Sequence, residues 1–304
     1  MNATPTATLN ERIIEEFRAN NGKVGGMFDG VPLVLITTAG RKTGRPRTTP
    51  VVHLRDGDRH LVFGSNAGSS EHPQWYHNIV ANPQVTLEIG TADGVRTLAT
   101  RAVVLEGEER DHWYERQCAL EPGFRAYQEK TTRTIPVITL YPLDLSADPA
   151  RNRVVGEQLI RHHEDLRAEL RDVRARIDDL LAGGPQAAEP DRPADLAAQL
   201  RRHCLTFCYG LQMHHTRENG AFSAFEEEFP HLVPVIERLR AEHQVMEQAL
   251  TELETLLGDE SADDLEHLRD ELDRVVAGLE EHFAAEEASL LPAVGVTPPH
   301  RAGR

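Results

Sequence analysis

Residues 203–225, HCLTFCYGLQMHHTRENGAFSAF, carry apolar side chains at Phe207, Leu211, Phe222 and Phe225, and the same stripe holds His203, His214 and Glu218. Steps of three and four residues are helical, so these polar groups share a face with the core. The stripe extends back through Leu196 and Leu200, and the same period recurs in three further stretches. The first, from Val154, carries Leu159, His163, Leu166, Leu170, Val173, Ile177 and Leu180. The third carries Leu232, Ile236, Leu239, His243, Met246, Leu250, Leu253 and Leu257, and the fourth Leu265, Leu268, Leu272, Val275, Leu279, His282, Glu286 and Leu290. A Gly-Gly-Pro linker (AGGPQAAEPDRP, 182–193) separates the first two. Four amphipathic helices on short connections predict an antiparallel four-helix bundle over residues 148–292, with residues 293–304 (from Ala293) as a disordered tail.

The buried stripe of this bundle is too polar to be only a core. A buried carboxylate without a counter-charge costs several kcal/mol, and a metal ion is one way to supply that charge. At about 1.5 Å of rise per residue, His163, His214, His243 and the His282–Glu286 pair fall at comparable heights on their helices. His203 lies about 16 Å from that layer and reads as structural. His214/Glu218 and His282/Glu286 each place a nitrogen and an oxygen ligand one turn apart. Four imidazoles and two carboxylates able to bridge describe a dinuclear iron site, with manganese or zinc as alternatives. His215, next to His214 and off the stripe, reads as an outer or alternative ligand, and His162 and His267 as solvent-facing. Cys204 and Cys208 read as small core residues.

The segments RHHEDL, HHTREN, RAEHQVMEQ and EHFAAEEASLLP make this half resemble the hemerythrin-like family. The resemblance implies a non-haem diiron centre, two Fe ions held by His163, His214, Glu218, His243, His282 and Glu286, that meets O2, nitric oxide or peroxide, or senses iron.

The preceding residues follow a different period. Short β-branched runs bounded by turn residues recur at 31–38, 48–57, 59–65, 84–90, 95–105 and 134–143, and Asp56-Gly57 and Asp93-Gly94 are hairpin signals. They predict an antiparallel barrel or sandwich over residues 1–147, with helices at 9–20, around 72–81 and over 107–119. Asp144–Asn152 lacks periodicity and marks the boundary. The fold class is therefore α+β in two domains. No G-x-G-x-x-G, P-loop or G-x-S-x-G is present, which argues against a Rossmann domain, an NTPase and an α/β-hydrolase.

Between the first two runs, TTAGRKTGRPRTTPVVHL packs Arg41, Lys42, Arg45 and Arg47 around a glycine. Such a loop is either a solvated hairpin tip or a cradle for the phosphate and carboxylates of an anionic cofactor. A second element, FGSNAGSSEHPQWYHNIVANPQVTLEIG (63–90), joins a small polar loop to a helix with Trp75, Tyr76 and Asn78. Together they resemble the deazaflavin (coenzyme F420)-dependent nitroreductase and quinone reductase family from Asn10 to Leu143, whose fold is a split β-barrel. That resemblance implies that Lys42, Arg45 and Arg47 hold the cofactor's phosphate and oligoglutamate tail. It sets Thr49, Pro50, Ser65, Asn66, Ala67 and Gly68 against the deazaflavin, with Trp75, Tyr76 and Asn78 on the adjoining helix. Tyr127 falls on the substrate side, where it would hydrogen-bond or protonate the reduced acceptor. FMN is the alternative cofactor. The implied enzyme is an F420H2-dependent oxidoreductase acting on a quinone-like or other electron-poor small molecule. The rival is a non-catalytic sensor whose barrel only binds cofactor. The resemblance also leaves room for a homodimer.

Charge is partitioned like the periodicity. Of 33 basic and 49 acidic side chains, residues 1–150 hold 16 and 18 and residues 151–304 hold 17 and 31. A net charge of −16 argues against nucleic acid as partner. The three cysteines fit a reducing compartment. No apolar run reaches membrane-spanning length and the N-terminus lacks an export pattern, so the expected location is cytoplasmic.

Overall fold

The computed structural model describes residues 8–146, 148–183, 192–258 and 265–299. The chain divides into two compact units, Met1–Asp144 with Thr216–Ala224, and Leu145–His215 with Phe225–Arg304. The expected break after residue 147 thus falls three residues earlier, and the first unit is not contiguous in sequence.

The first unit opens with α1 (Leu9–Ala19), started by a reciprocal cap between Thr8 and Glu11. Six strands follow: β1 (Leu33–Ala39), β2 (Pro46–Asp56), β3 (Arg59–Phe63), β4 (Gln84–Thr91), β5 (Gly94–Val104) and β6 (Val137–Pro142). All pairs are antiparallel and close into a barrel in the order β1-β2-β3-β6-β5-β4, which decides between barrel and sandwich. Closure leaves no strand edge unpaired. Alternate residues Val34, Ile36, Val51, Val62, Val85, Leu87, Ile138 and Leu140 fill the interior. Helices α2 (Gln74–Ala81) and α3 (Gly107–Leu120) match the expected ones. The seven-residue α4 (Gly123–Glu129) was not legible, because so short a helix carries no stripe.

The second unit consists of α5 (Pro149–Gly183), α6 (Arg192–Glu228), α7 (Val233–Gly258) and α8 (Leu265–Leu290). Helix α5 starts before Val154, inside the stretch read as a boundary. Asp148 Oδ1 accepts the Ala150 N–H at 2.8 Å, and Pro149 suits the first helical position. The stripe residues Leu166, Leu170, Val173, Ile177, Phe207, Leu211, Leu250, Leu253, Leu272, Val275 and Leu279 form one buried core with Cys204 and Cys208. The side chains of Leu180, Leu196, Leu200, Leu257, Leu265, His267 and Leu268 lie outside the described part, as do linker residues 184–191. The expectation of disorder from residue 293 needs correction. Pro292–Val294 forms a 3₁₀ turn with Val294 buried. A Cβ at Gly156 would stand 2.8 Å from Val294 and Val296, so glycine there admits this segment against α5. Of the expected tail, residues 300–304 fall outside the described residues.

Candidate functional site

In the bundle, ligand-type atoms converge in two groups. One donor atom each from His163, His214, Glu218 and Glu286 lie within 4.8 Å of one another, as do those of His215, Glu218, His243 and His282. All seven residues are buried, and Glu218 belongs to both groups. His243 Nε2 and His282 Nε2 are 2.9 Å apart. Glu286 Oε2 lies 3.3 Å from His163 Nε2 and 3.8 Å from His282 Nε2, so it faces both groups. The six residues expected from the stripe are brought together. His215, read as an outer or alternative ligand, joins the second group. Its ring stacks on His243 at 4.3 Å between centroids. A helix enclosed on several sides buries more than one stripe, and adjacent positions can then both face inward.

Outside these groups stands a layer of carboxylates. His163 Nδ1 lies 2.9 Å from Glu287 Oε1, and His282 Nδ1 2.7 Å from Glu242 Oε2. With each Nδ1–H donated outward, each Nε2 presents a lone pair inward. Arg167 Nη1 donates to Glu287 at 3.1 Å, and its Nε donates to Glu280 at 2.8 Å. Burial opposes ionisation of Glu287, but the hydrogen bonds from His163 and Arg167 outweigh it and hold the carboxyl below its ordinary pKa. Burial first, and neighbouring imidazoles second, push the pKa values of His214 and His215 well below the usual value, which keeps both rings neutral.

Whether this set fits a metal is decided by polar atoms that otherwise make no sense. His215 Nε2 and both Glu286 oxygens are buried without a hydrogen bond among the described residues. Neutral imidazoles and carboxylates aimed into one dry layer are a donor set for iron or manganese. His203 does not belong to it: its Nε2 lies 3.0 Å from Asp172 Oδ2. His162 is half-buried rather than solvent-facing, with its ring 6.2 Å from that of His214.

In the barrel, Arg41, Lys42, Arg45 and Arg47 are exposed on and beside the Gly40–Gly44 hairpin, whose Gly40 N–H donates to Arg45 O at 2.9 Å. Thr49 and Pro50 follow on β2, paired with Ile36 and Leu35. Buried Asn78 holds the hairpin base: its Oδ1 accepts the Arg41 N–H at 3.1 Å and its Nδ2 donates to Thr38 Oγ1 at 3.0 Å. Asn78 thus supports the loop, while Trp75 packs in the barrel core. Tyr76 packs against His72 at 4.7 Å between centroids.

The Asn66–Gly68 turn has three successive positive φ angles, 46°, 51° and 81°. Such turns aim backbone N–H groups at anions. Continued past Phe63, the β2–β3 register sets Ser65 level with Pro50. A Cβ on Gly68 would stand 2.9 Å from the Tyr127 carbonyl, so the turn packs directly on the backbone of α4. The half-buried Tyr127 ring lies edge-on to Phe124 at 5.6 Å. Sequence reading missed Arg133. It donates to Ser65 O at 2.7 Å and Ser69 O at 2.8 Å, and its Nη1 lies 3.1 Å from His72 Nδ1. No signal marked it, since a single arginine in a loop usually points to solvent.

Comparison with known proteins gives two family matches. Residues 11–142 match the F420H(2)-dependent quinone reductase model, and residues 154–294 the hemerythrin HHE cation binding domain. An F420H(2)-dependent quinone reductase of Mycobacterium tuberculosis (strain H37Rv) is 34% identical over 128 residues, covering 41% of this chain and 83% of the relative. A solved structure described as an F420-H2 dependent reductase (FDR-A) is 38% identical over 36% of this chain and 93% of its own, with a TM-score of 0.33. Another, described as a domain-swapped dimer, is 36% identical over 42% of this chain and 90% of its own, with a TM-score of 0.35. No helix among the described residues is long and apolar enough to cross a membrane.

Proposed function

Because the chain belongs to the F420H2-dependent quinone reductases through its barrel and carries a hemerythrin HHE domain behind it, we propose that it reduces a small quinone-class acceptor with F420H2. We further propose that its bundle holds two iron ions where O2 or nitric oxide is the partner. The observation that carries the reductase reading is the packing of the Asn66–Gly68 turn against the backbone of Tyr127. It sets the left-handed turn beside the tyrosine.

Bound F420H2 supplies the hydride. In the proposal, Lys42, Arg45 and Arg47 hold its anionic tail through charge-assisted hydrogen bonds. Ser65, Asn66 and Ala67 line the cofactor, Gly68 closes the turn by donating its N–H to Ser65 O, and Thr49, Pro50 and Tyr76 stand at the flanks. Tyr127 moves its phenolic proton to the acceptor oxygen as hydride reaches the ring, so that quinone, hydride and proton sum to hydroquinone. In the bundle the metal pair supplies redox chemistry when bound. His163, His214 and Glu286 would hold one ion and His215, His243 and His282 the other, with Glu218 in reach of both. Phe283, stacked on His163 at 4.1 Å, helps to keep the layer dry. Three buried thiols, Cys118, Cys204 and Cys208, support a cytoplasmic setting.

The reductase test is anaerobic oxidation of F420H2 by menadione, followed through the absorbance of the reduced cofactor. Turnover is expected, with Tyr127→Phe lowering kcat about a hundredfold and leaving the cofactor Kd nearly unchanged. Normal F420 binding without reduction of any quinone tried would favour the sensor reading.

A further inference from the structure

The barrel has a second opening that the reductase site does not use. Residues at the start of β1, the end of β2, the start of β3 and the end of β4 surround a cavity of about 450 Å³. The pairings Leu33 with Val52, His53 with Val62 and Leu35 with Glu88 put this cavity at the opposite barrel end from the Gly40–Gly44 hairpin. The volume suits a small organic ligand, and barrel mouths are a common place for one.

The cavity wall combines three chemistries. Val31 and Ile89, both half-buried, bring apolar side chains to it, over the buried Leu33 and Val34. His53 and His60 stand in the wall as a stacked pair, ring centroids 5.1 Å apart, with Nδ1 to Nδ1 at 3.1 Å. That distance requires one Nδ1–H donated to the other Nδ1. Two neutral imidazoles so joined leave one Nε2–H as donor and one Nε2 as acceptor. Burial, with the His60 ring and Arg55 adding to it, lowers the His53 pKa to about 4, which keeps the pair neutral. Lys23 and Arg55 supply two cations. Neither forms an ion pair among the described residues; Arg55 Nε donates to Gly57 O at 2.9 Å. Of the acids near the mouth, Asp56 is paired with Arg59 and Glu88 with Arg18, while the exposed Asp58 and Asp93 form no ion pair with Lys23 or Arg55 among the described residues. In a chain of net charge −16, two cations that pair with no carboxylate among the described residues, beside an apolar cavity, offer a place for an outside anion.

We propose that this mouth is a second ligand site of the barrel, taking a small amphipathic carboxylate whose apolar body rests against Val31 and Ile89 while Arg55 and Lys23 bind its headgroup. The guanidinium fork matches a carboxylate in two parallel hydrogen bonds. The imidazole donor then meets the ligand just below the headgroup.

The test uses the full-length chain, octanoate as probe and octan-1-ol as its uncharged counterpart, read by calorimetry and by the imidazole ¹⁵N resonances of His53 and His60. Octanoate should bind saturably and shift both imidazoles, and octanol should bind at least about tenfold more weakly. The K23A/R55A double variant should remove that preference while F420 binding at the other barrel end persists, which separates lost charge from lost fold. The proposal is overturned if octanoate leaves both imidazoles unmoved, if octanol binds equally well, or if the double variant binds octanoate as the parent does.

Discussion

His163 Nδ1 bonded to Glu287 fixes which nitrogen faces the donor cluster, and Arg167 fixes Glu287 in turn. Carboxylate partners of this kind typically change metal affinity by about 10–100-fold when removed. Glu287→Gln should therefore weaken iron binding by that factor, read by competition with a chelator, with the helices intact. Asp172→Asn, whose ion pairs among the described residues are with His203 and Arg176, should leave affinity unchanged. Equal effects of the two substitutions would show that Glu287 does no more than pack. Legibility at this scale divides cleanly. Six members of the two clusters were readable because a polar residue on an apolar stripe contradicts its surroundings. His215 sits about 100° around the helix from His214, where periodicity gives no reason to expect burial. Glu287, Glu242 and Arg167 look in sequence like any charged surface residues, and only their approach to the imidazoles reveals them.

Strands and long helices were read from their periods, and the six strand positions hold to within a few residues. Loops carried the harder information. The Gly40–Gly44 hairpin announced itself by its cations, but its anchoring through Asn78 depends on α2 lying beside β1. Arg133 likewise ties Ser65 and Ser69 to a loop more than sixty residues later. Three bonds from one guanidinium hold the left-handed turn in shape, and their loss should be felt as cofactor affinity. Arg133→Ala should weaken F420 binding about tenfold without the reduced salt dependence that Lys42→Ala with Arg45→Ala produces, because Arg133 orders the loop and the hairpin cations meet the cofactor's charge. If F420 titration across a salt series gave the two variants the same slope, the division of labour between them would be wrong.

At the scale of the molecule, two chemistries share one chain, and its charge is divided between them. The bundle half carries 31 of 49 acidic side chains, a field that gathers cations, while the only dense cationic segment lies in the barrel half, where an anionic cofactor is expected. The bundle's architecture followed from four stripes in phase. The inclusion of Thr216–Ala224 in the barrel's unit did not, since nothing in the α6 stripe separates those residues from their neighbours. The central claim is that the two clusters sharing Glu218 hold a pair of iron ions. Elemental analysis of the purified full-length chain after iron-replete expression tests it most directly. The account predicts close to two iron atoms per chain, lost on Glu218→Ala; one tightly bound ion at most, or zinc alone, would contradict it.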